Sequence, residues 1–313
     1  MTKNEIEKLA YDILRQRKYH AQQTARENLF RARNNPAFFE IDSALRALEI
    51  EIAKANKEEK SQLAARKDML QKERERVLVG MGMTPKDLEP KPICPLCHDS
   101  GTHNGKQCKC LKNIILSKLL EESGVSAKDL VSFDSFDENV APNEKQRAML
   151  AKYKKFLQEV AEKFPNQRAK CITICGNTGT GKTFGAKCLV REVLKKQEPA
   201  LFLTAFELSS LMLKFHTAFV QDKNAIMSTL LEPELLVIDD LGTEPILKKV
   251  TLEYLYVILS ERLAKGKTTF ITTNLSLSHI LDQYGERIFS RLSDKKLSQL
   301  IELSGSDLRH NKK

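Results

Sequence analysis

No stretch of the 313-residue chain approaches the roughly 18 consecutive apolar residues of a membrane span. The opening Met1-Thr2-Lys3-Asn4-Glu5 also lacks the apolar core of a secretory signal. Neither a membrane-spanning nor an exported protein is expected, and a cytoplasmic address follows. Acidic residues are in deficit as well: 41 Asp and Glu stand against 51 Lys and Arg, a formal net charge of +10. That surplus favours an acidic partner such as nucleic acid, although plain solubility is served by the same charge. The length suggests about two domains.

In a reducing compartment the 7 cysteines are not expected to form disulfides. Cys171, Cys175 and Cys188 fall in apolar surroundings and read as small core residues. Cys94-Pro95-Leu96-Cys97 and Cys108-Lys109-Cys110 are clustered on either side of a Gly-containing turn. A Cys-x-x-Cys pair bends through one turn so that both sulfurs converge on one ion, and a returning pair completes a tetrahedron. Zinc suits four thiolates best, in a closed structural site, with an iron–sulfur cluster the weaker option. The second pair is spaced more tightly than usual, so His98 or His103 stays open as a replacement ligand.

The strongest motif is Gly176-Asn177-Thr178-Gly179-Thr180-Gly181-Lys182-Thr183, which fits the phosphate-binding P-loop. The β-branched run Cys171–Cys175 before it predicts a buried strand, and Phe184 to Lys196 after it predicts a helix. Glycines let backbone N–H groups curl around an oxyanion, and the helix N-terminus adds its positive dipole end. Lys182 would reach the β- and γ-phosphates of ATP, and the Thr183 hydroxyl would ligate Mg²⁺.

Downstream, Leu235-Leu236-Val237-Ile238 is an apolar strand ending in Asp239 and Asp240. Asp239 would hold the hydrated Mg²⁺, and Asp240 would orient or deprotonate the attacking water. A further strand, Lys267 to Thr273, ends at Asn274, placed to sense the γ-phosphate or simply to begin the Ser276-Leu277-Ser278 turn. Gly285 to Leu292 predicts a short amphipathic helix with Arg287 and Arg291, either of which can reach phosphate oxygens or make a surface ion pair. Leu297–Leu303 is a last strand. Helices are expected over Glu144–Lys163, from Ala205 through about Phe219 and on to Leu231, and over Val250–Ala264.

Before the motif core, Asn4 to Asn34 reads as a helix, and Pro36 to Val79 as one long helix or as a hairpin turning near Asn56. Its narrow apolar stripe suits a coiled coil, a docking face, or a solvated helix packed on its own domain. A helix from Leu111 to about Ser123, capped by Gly124, follows the cysteines, and Val131 to Asn143 reads as a linker lying across the next domain. The resulting division is residues 1–90 (charged helical region), 91–125 (cysteine module), 126–165 (linker and leading helix) and 166–313 (ATPase domain).

Taken together, the P-loop, L-V-I-D-D-L-G at Leu236–Gly242, I-T-T-N at Ile271–Asn274, G-E-R-I-F-S-R-L at Gly285–Leu292 and S-D-L-R at Ser306–Arg309 resemble the AAA+ ATPases. Within these they are similar to bacterial replicative helicase loaders of the DnaC and DnaI type. The resemblance covers about residues 130 to 313. It implies an α/β P-loop NTPase core, a parallel sheet with helices on both faces, no C-terminal lid, and a helical, zinc-binding N-terminal region. It implies Arg291 as an arginine finger entering a neighbouring copy, Arg309 as a sensor-two arginine, and a DNA-touching segment around Leu211–Phe219 with Lys248 and Lys249 beside it. The implied partners are the hexameric replicative helicase, gripped by the N-terminal region, and single-stranded DNA that stimulates hydrolysis. Two rivals share the core: a transposition helper ATPase of the IstB type, and a DNA-binding adaptor that holds nucleotide without turnover. Replication initiators share it too, but no duplex-reading domain is expected after Arg309.

Overall fold

The computed structural model describes residues 2–310. Its chain forms two compact units, Leu9–Leu111 and Met1–Lys8 with Lys112–Lys313. The elements run α1 (Lys3–Arg33), α2 (Pro36–Lys54), α3 (Lys57–Gly80), β1 (Thr102–His103), β2 (Lys106–Gln107), α4 (Lys109–Glu122) and α5 (Glu144–Lys163). They continue with β3 (Cys171–Gly176), α6 (Lys182–Lys195), β4 (Ala200–Thr204), α7 (Ala205–Thr217), α8 (Val220–Leu231) and β5 (Leu235–Leu241). The chain ends through α9 (Glu253–Ala264), β6 (Thr268–Thr273), α10 (Leu277–Leu292) and β7 (Ser298–Leu303).

In the Leu9–Leu111 unit the sequence alternatives resolve to a hairpin. Ala55 takes an extended conformation that stops α2. Asn56 and Glu59 then cap α3 reciprocally: the Glu59 N–H donates to Asn56 Oδ1 at 3.0 Å and the Asn56 N–H to Glu59 Oε2 at 3.1 Å. Phe38, Ala32, Leu78 and Met83 close a small core. Beside it the largely buried Asp42 receives Arg46 at 3.0 Å, Arg74 at 3.3 Å and Arg33 at 3.6 Å. A buried acid among several guanidiniums is costly to remove from one side only.

The second unit is organised on a five-stranded parallel sheet in the order β4-β5-β6-β3-β7. Its three inner strands, β3, β5 and β6, are buried runs of apolar or β-branched residues because helices cover both faces. Cys171, Leu236, Ile238 and Ile271 pack against α7, α9 and α10 through Leu208, Leu255, Ile258, Ile280 and Ile288. The alternate residues Ile172, Ile174, Val237 and Phe270 are equally buried and face α6. Helix α5 then packs on α6 so closely that a Cβ at Gly185 would lie 2.5 Å from the Tyr153 hydroxyl. The P-loop strand lies between β6 and β7, so the carboxyl ends of β3, β5 and β6 meet at one edge.

Arg262, 0% exposed, locks the opposite side. Its guanidinium donates to the carbonyls of Leu230 and Pro233, both at 2.9 Å, to Thr268 O at 2.6 Å, and to Thr269 Oγ1 at 3.0 Å. Burial pulls its pKa down to about 9. Nothing in the sequence distinguishes this arginine from those on the surface.

The helical run expected from Ala205 to about Phe219 and the further helix to Leu231 are α7 and α8, parted by the extended Ala218 and Phe219. The short amphipathic helix expected from Gly285 follows a break within α10, where Gly285 takes φ 78° and ψ 167°.

Candidate functional site

At the carboxyl edge, the P-loop wraps from the end of β3 into the first turn of α6. Gly179 has φ +77°, and a Cβ there would fall 2.0 Å from the Asp307 carboxylate; only glycine fits both demands. The Leu308 N–H donates to Gly179 O at 2.9 Å, so the Ser306–Arg309 segment rests directly on the loop. The Thr180 hydroxyl donates to Asn177 O at 2.9 Å, and Gly181 is the N-cap of α6. The Lys182 ammonium donates to the carbonyls of Gly176 at 2.7 Å and Asn177 at 2.8 Å. Burial draws its pKa down, opposed by the charges of Asp240 and Asp239.

Asp239 ends the buried part of β5. Its Oδ1 accepts the Thr183 hydroxyl at 3.0 Å and the Thr272 hydroxyl at 2.6 Å. Burial raises its pKa; the Thr272 hydroxyl pulls the other way, and the neighbouring Asp240 charge adds to the rise. No ion pair to Asp239 occurs among the described residues. The two oxygens needed for Mg²⁺ fit it: cis ligands of an octahedral site at about 2.1 Å from the metal lie about 3.0 Å apart, the distance between Thr183 Oγ1 and Asp239 Oδ1. Asp240 has φ +56°, and its N–H donates to Thr272 Oγ1 at 2.9 Å. The sheet register breaks between Ile238 and Leu241, which turns the Asp240 side chain out to solvent.

A cleft of about 610 Å³ opens over these groups. Thr178, Gly179, Gly181, Lys182 and Thr183 line one end together with Asp240, Asn274 and Arg309. Asn274 sits just past β6, and Arg309 pairs with Asp307 at 2.6 Å. Its apolar lining is Phe136, Val140, Leu150 and Leu308, the last two within 4 Å of where a Cβ on Gly181 would stand. The segment expected as a linker is thus a wall: Phe136 lies edge-on to Tyr153 and Phe184 at 6.0 and 5.5 Å, and Lys154 Nζ donates to Phe136 O at 2.7 Å. Phe133 and Phe136 preceding α5 are the one sequence signal that points to it. Thr272 and Asp307 lie inside the I-T-T-N and S-D-L-R motifs, but no role was read for either.

Arg291 is not in this cleft. Its Nε donates to Ser260 Oγ and its Nη2 to the Tyr256 hydroxyl, each at 3.2 Å, while Arg287 stacks 4.1 Å above the Tyr256 ring. The DNA-touching segment expected at Leu211–Phe219 ends in a prominent apolar step, Phe219 at 80% and Val220 at 84% exposure. The side chains of Lys248 and Lys249 lie outside the described residues.

The family model of the IstB-like ATP binding proteins matches residues 132–311, which take in the aromatic wall, the P-loop, both acids and Arg309. The chain belongs to this family. Among curated relatives, the uncharacterized protein YqaM of Bacillus subtilis (strain 168) is 22% identical over 214 residues, 66% of each chain. The replicative helicase loader DnaC of Escherichia coli (strain K12) is 26% identical over 160 residues, 50% of this chain and 62% of that one. The chain thus spans just under two thirds of these relatives' length. A crystal structure of DnaI aligns at a TM-score of 0.46 and 20% identity, covering 59% of this chain and 94% of that one.

In the other unit, the sulfurs of Cys94, Cys97, Cys108 and Cys110 all lie within 4.8 Å of one another. Positive φ at His98 and Asp99 turns the chain after the first pair, and the buried Asp99 carboxylate accepts the Ile93 and Cys94 N–H groups at 2.8 and 3.0 Å. The tight second pair is accommodated because Cys108 precedes α4 and Cys110 lies in its first turn. Cys97 and Cys110 approach to 3.3 Å. Burial opposes ionisation of Cys97, yet hydrogen bonds from Cys110 and the Gly101 backbone bring its pKa to about 7, while Cys110 is pushed up. Four converging sulfurs that cannot all ionise side by side fit a divalent cation. His98 and His103 are exposed and stand outside the group.

Proposed function

We propose that this ATP binding protein hydrolyses ATP and uses it to deliver a replicative DNA helicase to single-stranded DNA in the cytoplasm. The observation that carries the reading is one cleft lined by the P-loop lysine, by Thr183, whose hydroxyl donates to the buried Asp239 behind it, and by apolar side chains; the curated relative DnaC supplies the loader class. ATP would place its base between Phe136, Val140 and Leu308, and its phosphates against the Gly179 and Gly181 amides and Lys182. Thr183 and Asp239 would hold Mg²⁺, which when bound offsets phosphate charge. Asp240 orients a water toward the γ-phosphorus and accepts its proton as the bond to the β-phosphate oxygen breaks. Asn274 and Arg309 read the γ-phosphate in the same chain. Arg291, held outside its own cleft, acts on the nucleotide of a neighbouring copy.

Zinc on Cys94, Cys97, Cys108 and Cys110 would fix the fold of the arm, residues 1 to about 120, which contacts the helicase. The exposed Phe219 would stack on DNA bases. No helix among the described residues is long and apolar enough to cross a membrane.

Lys182→Ala is expected to abolish ATP turnover, at least about a hundredfold as for loss of a principal phosphate contact; unchanged turnover would overturn the site. Capture of purified helicase rather than transposase separates the loader from the IstB-type helper, and the arm with its four cysteines favours the loader. Turnover in the presence of single-stranded DNA excludes a passive adaptor.

A further inference from the structure

The loop that follows Asp239 and Asp240 is tied to the arginine-bearing helix by one buried carboxylate. Glu244, 6% exposed, accepts the Gly242 N–H on Oε2 at 2.8 Å and the Tyr284 hydroxyl on Oε1. Tyr284 is 3% exposed; burial and its bond to the Glu244 carboxylate keep its phenol protonated, so it remains a donor. On the nucleotide side, the Thr243 hydroxyl donates to Asp240 O at 2.8 Å, and the Asp240 N–H bonds to the same Thr272 hydroxyl that reaches Asp239. On the other side, Tyr284 is followed at once by Gly285, whose φ of 78° and ψ of 167° kink α10. A Cβ at Gly285 would meet nothing within 4 Å, so packing leaves this joint open. Arg287 and Arg291 lie just beyond it.

We propose that Glu244 and Tyr284 are positioning residues for ATP hydrolysis: their bond registers the Arg287–Arg291 segment against the Asp239–Asp240 backbone of the same chain. A buried carboxylate with two donors cannot release either without leaving charge unpaired. A shift of the acid loop is therefore passed to Tyr284 rather than absorbed, and Gly285 is where α10 yields. The arginine that one copy presents to its neighbour then reports the state of its own nucleotide site. This rests on Arg291 acting between copies, as proposed above.

Tyr284→Phe removes one hydroxyl, and Glu244→Gln keeps the shape while removing the charge. In the full chain, both are expected to bind a fluorescent ATP analogue as the parent does. Both should lower kcat about tenfold at unchanged KM, as befits one hydrogen bond to a charged group. Mixing locates the defect. Asp240→Asn chains keep Lys182 and the Asp240 backbone bonds, so they hold ATP without hydrolysing it and present an intact arginine segment; their excess should restore turnover at Tyr284→Phe sites. If the same excess restores Arg291→Ala but not Tyr284→Phe or Glu244→Gln, the pair is a local pin and the proposal falls while Arg291 keeps its role. If it restores none of them, action between copies is overturned. Unchanged kcat in both variants sinks the positioning role outright.

Discussion

Asp239 carries a cost that its proposed role as a metal ligand would explain. Burial holds its folded-state pKa above the ordinary carboxylate value, so folding favours its protonated form more than the unfolded chain does. The associated stability is fully present below the unfolded value near 4 and is lost as pH rises through the folded pKa, leaving the metal-free protein penalised at neutral pH. Asp239→Asn keeps an oxygen for the Thr183 and Thr272 hydroxyls and removes the charge. Its metal-free melting temperature is expected to exceed the parent's by a few degrees at pH 7 and to converge with it near pH 4, while ATP turnover is lost. A lower melting temperature at pH 7 would show that the carboxylate is stabilised by something other than the two hydroxyls. Gly179→Ala tests the loop itself. A left-handed backbone and the Asp307 carboxylate both reject the methyl, so nucleotide affinity should fall about five- to thirtyfold, for roughly 1–2 kcal/mol of strain. These residues were legible because the P-loop confines its chemistry to eight consecutive positions. The roles of Thr272 and Asp307, though both lie inside quoted motifs, and of Glu244 were not, because each comes only from strand pairing or chain return.

At the scale of elements, the strands were legible because parallel strands buried on both faces leave unbroken β-branched runs. The helices of the arm were legible too, but their turn was not decided: Asn56 reads as a break or as a cap, and only the Glu59 bond makes it a cap. The Val131–Asn143 stretch reads as a linker lying across the next domain, but which of its side chains pack there was not legible, because its short turns have no period. The cysteine module was legible from spacing, and the first turn of α4 explains the narrow second pair. Purified protein is expected to hold about one zinc ion, displaced by a thiol reagent with four sulfurs released together. Cys97→Ser should lose the ion and speed amide exchange through Ile93–Leu111. Full zinc retention with His98 or His103 substituted is the matching expectation, and zinc loss in either would restore histidine to the ligand set.

At the scale of the whole molecule, the net charge of +10 favours the proposed binding of single-stranded DNA, and that binding would have to respond to salt. Each phosphate neutralised on a single strand contributes a slope of about −0.7 in log affinity against log salt, so even three contacts predict a loss of roughly tenfold to twentyfold between about 50 and 200 mM. Stacking on Phe219 is insensitive to salt, so Phe219→Ala should lower affinity by a nearly constant factor, about five- to a hundredfold for roughly 1–3 kcal/mol per base, without changing that slope. Measuring both together separates a general basic surface from a specific aromatic contact. A flat salt response would remove single-stranded DNA as a partner. A normal slope with no effect of Phe219→Ala would keep DNA but move its contact away from the α7–α8 junction. Removing the arm is a poorer test, because Ile6 is buried in the nucleotide-binding unit beside Leu119 and Leu201, and truncation at Lys112 would open that core. Point changes in the full chain leave it closed.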